Sequence, residues 1–192
     1  ADALHCNPNN IGLWGLSAGG ALALGAAYNS DSLYTHTIYP HISSSVSYVI
    51  DFYGITDIYS YYNLRSFTDK SDEDKETTLD LIYRHTNIRV TNEQFYKNVK
   101  DIADTHSPLY HVQPNNIQVS IYHGTADLQV GYEENALAFY EKNIQHGNSI
   151  VLYPYEGKGH GFWWDTPEFY QQLENQVIED VLIYASMSHK DI

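Results

Sequence analysis

The spacing of apolar residues along the chain predicts alternating strands and helices. Four short runs combine β-branched or other apolar residues and are bounded by glycine or proline, which is typical of strands. They are residues 11–14, 46–52, 117–122 and 150–153, and Pro154 is expected to end the last one. Strands that alternate with helices predict an α/β fold, in which a mostly parallel sheet is covered by helices on both faces.

Helices are predicted after the first and third strands. Residues 18–28 are rich in alanine and leucine, which are the best helix formers. Residues 133–144 are amphipathic, with one apolar face formed by Leu137, Tyr140 and Ile144. Gly147 follows as a plausible C-cap, so this helix is expected to end just before it.

The last helix is predicted from its first residues. Thr166 is a good N-cap, and Pro167 fits the first turn of a helix. Apolar residues then recur at every fourth position, at Phe169, Leu173, Val177 and Val181. This repeat predicts one buried face along the helix.

Residues 55–110 differ from the rest of the chain. An acidic, polar run at 68–75 leads into segments with helical patterns at 77–85 and 92–103. We interpret this stretch as a helical insertion between the second and third strands. The acidic run itself is also typical of a solvated loop.

Composition narrows the function classes. A chain of 192 residues with 43% hydrophobic residues is expected to form a single domain over residues 1–192. With 10 Lys and Arg against 24 Asp and Glu, the formal net charge is −14, so a nucleic acid or an anionic bilayer would be repelled. No apolar run approaches the roughly 20 residues of a membrane span. The single cysteine, Cys6, tolerates a reducing compartment, and a cytoplasmic location is favoured without being shown.

A glycine-framed serine follows the first strand. Gly15-x-Ser17-x-Gly19 has the pattern of a nucleophile elbow, a strained turn that exposes a serine hydroxyl between a strand and a helix. Five residues alone are a weak signal because glycine and serine are common. The apolar strand before Ser17 and the Ala-rich helix after it supply the expected context. We therefore predict that Ser17 is a nucleophile rather than part of an incidental turn.

A reactive serine needs a histidine base and a carboxylate that orients it. In the order Ser, acid, His, the chain offers Asp127 directly after the third strand and His160 after the fourth. Loops at the carboxyl ends of parallel strands are where active groups collect. We predict Ser17, Asp127 and His160 as the catalytic residues.

Competing residues remain at this stage. Asp57, after the second strand, is an alternative acid, whereas Asp165 is too close to His160 along the chain. His123 is the alternative base, although at a strand end it is expected to form a hydrogen bond within its loop. No cofactor is predicted, and the ten histidines show no paired spacing typical of a metal site.

Five segments together resemble the α/β-hydrolase superfamily, and within it the small acetyl-esterase and lipase-like branch. They are GLWGLSAGG (12–20), DFYGITD (51–57), SPLYHV (107–112), HGTADLQV (123–130) and YEGKGHGF (155–162). The resemblance implies a serine esterase in which Ser17 attacks an ester carbonyl, His160 is base and then acid, and Asp127 holds the imidazole. It also implies that the Ala18 N–H is one donor of the oxyanion hole.

The chain departs from the family pattern before Ser17. The resemblance leads us to expect several strands and a His-Gly-Gly type loop there, but only 16 residues precede Ser17, and His5-Cys6-Asn7-Pro8 is not that motif. We expect an α/β-hydrolase domain that is incomplete at its N-terminus. Its first strand would then be an unpaired apolar edge, so association through that edge, including a homo-oligomer, is a second expectation.

The resemblance also guides the substrate expectation. Residues 55–110 lie where related enzymes carry a cap, and short-acyl esters, including acetylated sugars, are the expected small-molecule substrates. The aromatic residues that could line a pocket are Tyr59, Tyr61, Tyr62, Phe67, Phe162, Trp163 and Trp164, with Phe162 and Trp163 expected nearest to the reacting centre. Two other classes stay open, a prolyl-oligopeptidase-type serine peptidase and a non-catalytic binding module on a hydrolase fold.

Overall fold

Four parallel strands form one sheet in the order β1-β2-β3-β4. The computed structural model describes residues 7, 9–28, 43–62, 69–91, 101, 103 and 105–187. The strands are β1 (Gly12–Leu16), β2 (Tyr48–Phe52), β3 (Gln118–Gly124) and β4 (Ile150–Tyr155). The predicted α/β fold with a parallel sheet is confirmed.

Five α-helices have both ends within the described part of the chain, and residues 101, 103, 105 and 106 are also helical. The five are α1 (Ala18–Tyr28), α2 (Ile58–Tyr61), α3 (Asp72–Thr86), α4 (Ala138–Gln145) and α5 (Pro167–Met187). The predicted Thr166 cap is present, since its Oγ1 accepts the N–H of Phe169 at 3.1 Å. None of the helices described is both long and apolar enough to cross a membrane.

Helices cover both faces of the sheet. Alternate residues of each strand point in opposite directions, so each face has its own apolar side chains to bury. On one face Val49, Val119 and Ile121 pack with α1 and with Phe139 of α4. On the other face Ile50, Phe52 and Tyr122 pack with Leu173 and Val177 of α5. The apolar repeat predicted for the last helix therefore does form its buried side.

A buried carboxylate fastens α5 to the sheet. Asp180 is 4% exposed and accepts hydrogen bonds from Ser120 Oγ, from Tyr122 OH at 2.7 Å and from Tyr153 OH at 2.9 Å. Tyr184 OH also contacts Ser120 Oγ at 2.6 Å. Each polar side chain of this cluster thus has a partner, which is what allows polar residues in a core.

Each strand differs from the prediction at one or both ends: β1 continues through Gly15 to Leu16, and β2 begins at Tyr48 rather than Val46. β3 continues through His123 and Gly124, and β4 continues through Pro154, which was expected to end it. Pro154 is tolerated because β4 is an edge strand, where a missing backbone N–H need not break a ladder on the outer side. The longer strands bring the loops that carry Asp127 and His160 to the same end of the sheet.

The helix predicted at 133–144 buries a different face. A π-helical turn, Glu133–Leu137, precedes α4 and adds a residue to the turn. As a result Ala136, Phe139 and Asn143 are buried, whereas Ile144 is 49% exposed. The predicted face was therefore wrong at Ile144, whereas Tyr140 does pack against the core, and Gly147, with a φ of 74°, follows the helix end as expected.

The insertion contains helix α3, which starts earlier than predicted. Ser71 caps it by accepting the N–H of Asp74 at 3.1 Å, and three acidic residues occupy the first turn. Negative charge is favourable there because it faces the positive end of the helix dipole. The acidic run thus starts a helix. Residues 63–68 and 92–100, which include Phe67 and most of the second predicted helix, lie outside the described residues, as do residues 1–6 and 8.

Candidate active site

Ser17 occupies a strained turn between β1 and α1. Its φ is 53°, in a region that side-chain-bearing residues rarely adopt, and its N–H donates to Phe52 O at 2.8 Å. Strand and helix meet so closely here that a Cβ on Gly15 would lie 2.1 Å from Gly19 O. The elbow geometry therefore depends on glycine at position 15.

His160 joins the serine to the acid. Ser17 Oγ lies 2.9 Å from His160 Nε2, and His160 Nδ1 lies 2.7 Å from Asp127 Oδ2. A carboxylate can only accept, so Nδ1 carries the proton and Nε2 is left as the acceptor for the serine hydroxyl. The three residues predicted from three separate segments thus lie in one hydrogen-bonded chain.

The loop after β3 holds Asp127 rigidly as a carboxylate. Its Oδ1 accepts the N–H groups of Gln129 at 2.8 Å and Val130 at 2.9 Å. Burial alone would raise the pKa of Asp127. The nearby imidazole of His123 and hydrogen bonds to the charged form from Val130, His160 and Gln129 outweigh that effect and lower the pKa of Asp127 to about 2. Asp127 is therefore negative throughout the neutral pH range.

Backbone hydrogen bonds tie the acid loop to the histidine loop. Ala126 N–H donates to Lys158 O at 3.0 Å, and Thr125 N–H donates to Tyr155 O at 3.0 Å. Thr125 Oγ1 in turn accepts the N–H of Gly157 at 2.9 Å. These bonds continue the β3–β4 ladder beyond the strands and fix the spacing of Asp127 and His160.

Sequence reasoning missed Tyr53 as part of the site. Its ring lies edge-on to the His160 ring with centroids 4.7 Å apart, and its φ is 44°. Burial and the negative charges of Asp127 and Asp51 raise the pKa of Tyr53 to about 12, so it stays neutral. The signal in the sequence was an aromatic residue before Gly54 at the end of a buried strand, which also fits simple packing.

A pocket of about 290 Å³ opens beside the elbow. It lies between α1 and the insertion, and its lining includes Ala18, Leu22, Tyr61, Tyr62, Leu81 and Arg84. Ala18 is the first residue of α1, and the first N–H groups of a helix have no partner within that helix. The apolar lining of the pocket therefore lies next to the Ala18 N–H, one residue after Ser17.

Other predicted residues lie elsewhere. Asp57 caps α2 by accepting the N–H of Tyr59, and Asp165 pairs with Lys158 at 2.6 Å. Phe162 and Trp163 are 2% and 3% exposed and pack in the aromatic core under α5. Their assignment as substrate contacts stays a prediction, and their burial favours a packing role.

The sequence profile of the family described as BD-FAE matches residues 1–142. The chain belongs to the BD-FAE family. This is an esterase family with the α/β-hydrolase fold, so the resemblance to that superfamily is confirmed. A comparison with curated proteins finds no match to this sequence.

Solved structures of esterases share the fold of this BD-FAE member. Native esterase 2 of Thermogutta terrifontis has 24% identity and a TM-score of 0.65, with 94% of this chain and 57% of that chain covered. Its butyrate-bound form has 25% identity and a TM-score of 0.65, with 94% and 59% covered. A truncated carbohydrate esterase from gut microbiota has 20% identity and a TM-score of 0.66, with 95% and 63% covered. The chain thus spans about 57% of the length of the first of these structures.

Proposed function

We propose that the protein is a serine esterase that hydrolyses short-acyl carboxylic esters through Ser17, His160 and Asp127. The observation that carries the proposal is the unbroken chain from Ser17 Oγ through the imidazole to Asp127 Oδ2, with contacts of 2.9 and 2.7 Å. Membership of an esterase family supports the same chemistry.

In the first half of the reaction, Ser17 Oγ attacks the ester carbonyl carbon while His160 Nε2 takes the hydroxyl proton. The carbonyl oxygen becomes an oxyanion, and the Ala18 N–H is placed to donate to it. As the tetrahedral intermediate collapses, His160 returns its proton to the alkoxide leaving group. An alcohol leaves, and the acyl group stays on Ser17.

In the second half, a water molecule replaces the alcohol. His160 Nε2 takes a proton from the water molecule while the water oxygen attacks the acyl carbon. The proton then passes from His160 to Ser17 Oγ as the carboxylic acid leaves. Asp127 stabilises the imidazolium in both halves, because it is anionic and held by two backbone N–H groups. The enzyme is returned unchanged.

The pocket beside Ala18 supports small acyl groups as substrates. A volume of about 290 Å³ accommodates a short chain, and its lining is mostly aliphatic and aromatic. The related Thermogutta esterase has been seen with butyrate, and another structural relative is a carbohydrate esterase. We extend the proposal to acetylated sugars as one class of short-acyl ester.

A chain-length series of p-nitrophenyl esters tests the proposal. We expect acetate and butyrate to be hydrolysed with higher kcat/KM than octanoate, since the pocket limits the acyl group. Ser17→Ala should abolish turnover, while Ser186→Ala, a hydroxyl on the exposed side of α5 that bonds Ile183 O, should leave it unchanged. Binding of ester without turnover in the wild type would favour a binding module, and cleavage of anilides in preference to esters would favour a peptidase.

We also propose that the protein associates through β1. This strand lies at the edge of the described sheet; Ile11, just before it, is 42% exposed, and Trp14, within it, is 54% exposed. An open edge with apolar side chains offers unpaired backbone groups to another strand.

A further inference from the structure

Two buried polar atoms lie under the active site without a hydrogen-bond partner among the described residues. They are Asp51 Oδ1 on β2 and His123 Nδ1 on β3. Asp51 is 1% exposed, and His123 is fully buried. Unsatisfied buried groups destabilise a fold, so a pair of them beside a candidate catalytic chain calls for an explanation.

Both side chains point to the same face of the sheet. Asp51 is in register with Ile121, and His123 follows two residues later on the same side of β3. The two atoms are not hydrogen-bonded to each other, so the carboxyl group and the imidazole interact through charge across the buried sheet face.

The backbone around Asp51 leaves room for its carboxyl group. A Cβ on Gly20 in the first turn of α1 would lie 2.0 Å from Asp51 Oδ1, and a Cβ on Gly54 would lie 2.3 Å from it. Oδ2 accepts the Gly54 N–H at 3.3 Å. Asp51 thus lies against α1, the helix that follows Ser17, and against the loop that carries Tyr53, so it can influence the positions of both.

His123 connects this region to the candidate catalytic acid. Its Nε2 lies 2.8 Å from Val130 O and 3.4 Å from Asp127 Oδ2. The shorter contact takes the proton, so the longer one is an electrostatic contact rather than a full hydrogen bond. Oδ2 is also the oxygen that accepts from His160, so two imidazole rings approach one carboxylate atom.

We propose that Asp51 and His123 are positioning residues that act as a buried acid–imidazole pair and hold Asp127 from the core side, so that its Oδ2 stays directed at His160. The pair acts through Asp127 and touches no substrate. This inference rests on the proposed esterase function. The coupling of Asp51 to the imidazole of His160 can nevertheless be measured without catalytic turnover.

The charge state of the pair supports the coupling. Burial raises the pKa of Asp51 to about 7, against the opposing attraction to His123 and the Gly54 N–H. Asp51 therefore changes charge in the neutral range. The other titratable groups that face the pair are Asp127, Tyr53 and Tyr132, whose ring lies 5.9 Å from that of His123.

Four variants separate positioning from structural support. Asp51→Asn keeps the shape and removes the ionisation, and Asp180→Asn does the same to a buried carboxylate on the opposite face of the sheet. His123→Phe removes the donor, and His123→Gln restores an N–H of similar reach. The measurement is the second-order rate at which a fluorophosphonate labels Ser17 between pH 5 and 9.

We expect Asp51→Asn to move the lower midpoint of this pH profile to lower pH by about half a pH unit. The substitution removes a negative charge that stabilises the protonated form of His160. Asp180→Asn should leave the midpoint in place. His123→Phe should lower the plateau rate at least about tenfold, because Asp127 loses the support of His123 and no longer orients His160 correctly. His123→Gln should recover most of the plateau rate. An unchanged midpoint in Asp51→Asn together with a plateau within twofold of wild type in His123→Phe would overturn the proposal.

Labelling could also fail in the wild type, which would count against the esterase function rather than against the pair. Histidine-selective 15N NMR then decides, since it follows the His160 ring without any reaction. We expect the pH dependence of the His160 signals to change in Asp51→Asn and in His123→Phe but not in Asp180→Asn. Identical His160 signals in all four proteins would overturn the positioning role.

Discussion

At the residue scale, Asp127 has the most constrained environment in the site. Two backbone N–H groups fix one oxygen, and two histidine rings approach the other. The expected result of Asp127→Asn is a loss of about 10⁴-fold in kcat with little change in fold, because an amide can hold the wrong imidazole tautomer. Asp165→Asn, which alters only an exposed ion pair with Lys158, is the control and should retain full activity. Comparable activities of the two variants would contradict the assigned role of Asp127.

Asp51 gives a pH-dependent stability at the same scale. Its pKa rises from 3.8 to about 7 on folding because the carboxyl group is buried. Between these values the unfolded chain ionises while the folded protein keeps the proton, so wild-type stability falls as pH rises and levels off above about pH 7. Asp51→Asn lacks this loss, and its unfolding free energy relative to wild type should rise by up to about 4 kcal/mol from pH 4 to pH 7. Urea titrations at several pH values measure it, and a difference that is independent of pH would refute the buried ionisation.

At the element scale, the attachment of α5 depends on Asp180. Asp180→Ala leaves the hydroxyls of Ser120, Tyr122 and Tyr153 without their acceptor. We expect a loss of about 3 kcal/mol in the unfolding free energy. Hydrogen exchange should show reduced protection in α5 first. Asp165→Ala at the surface should change stability by less than about 1 kcal/mol, and equal losses in both variants would argue against the Asp180 cluster.

The elements also show what a sequence can predict. Helix α1 has the predicted bounds, because a run rich in alanine and leucine directly follows the turn at Ser17. The buried face of α4 was missed, since a π-helical turn shifts the residues that follow and leaves no pattern in the apolar spacing. The roles of Asp51 and Asp180 were also missed. The role of a buried polar residue depends on its partners on other elements, and the sequence does not show which residues these are. Ser17, Asp127 and His160 could be brought together beforehand because a parallel sheet places its strand ends at one edge.

At the scale of the whole molecule, β1 is the edge where association is expected. Ile11→Lys places a charge beside the strand and should weaken strand pairing at this edge. Light scattering over a range of protein concentrations should give a lower average mass for this variant than for wild type. Leu182→Lys, at an apolar position on α5 that is 64% exposed against 42% for Ile11, should not change the mass. A larger effect from Leu182→Lys would move the interface away from β1.

The central claim for the molecule is that Ser17 is an activated nucleophile. Intact-mass spectrometry after treatment with a fluorophosphonate, followed by peptide mapping, tests it most directly. We expect one adduct per wild-type chain, located on Ser17, and no adduct in Ser17→Ala or in heat-unfolded protein. A folded wild-type chain without an adduct, or an adduct that persists in Ser17→Ala, would contradict it.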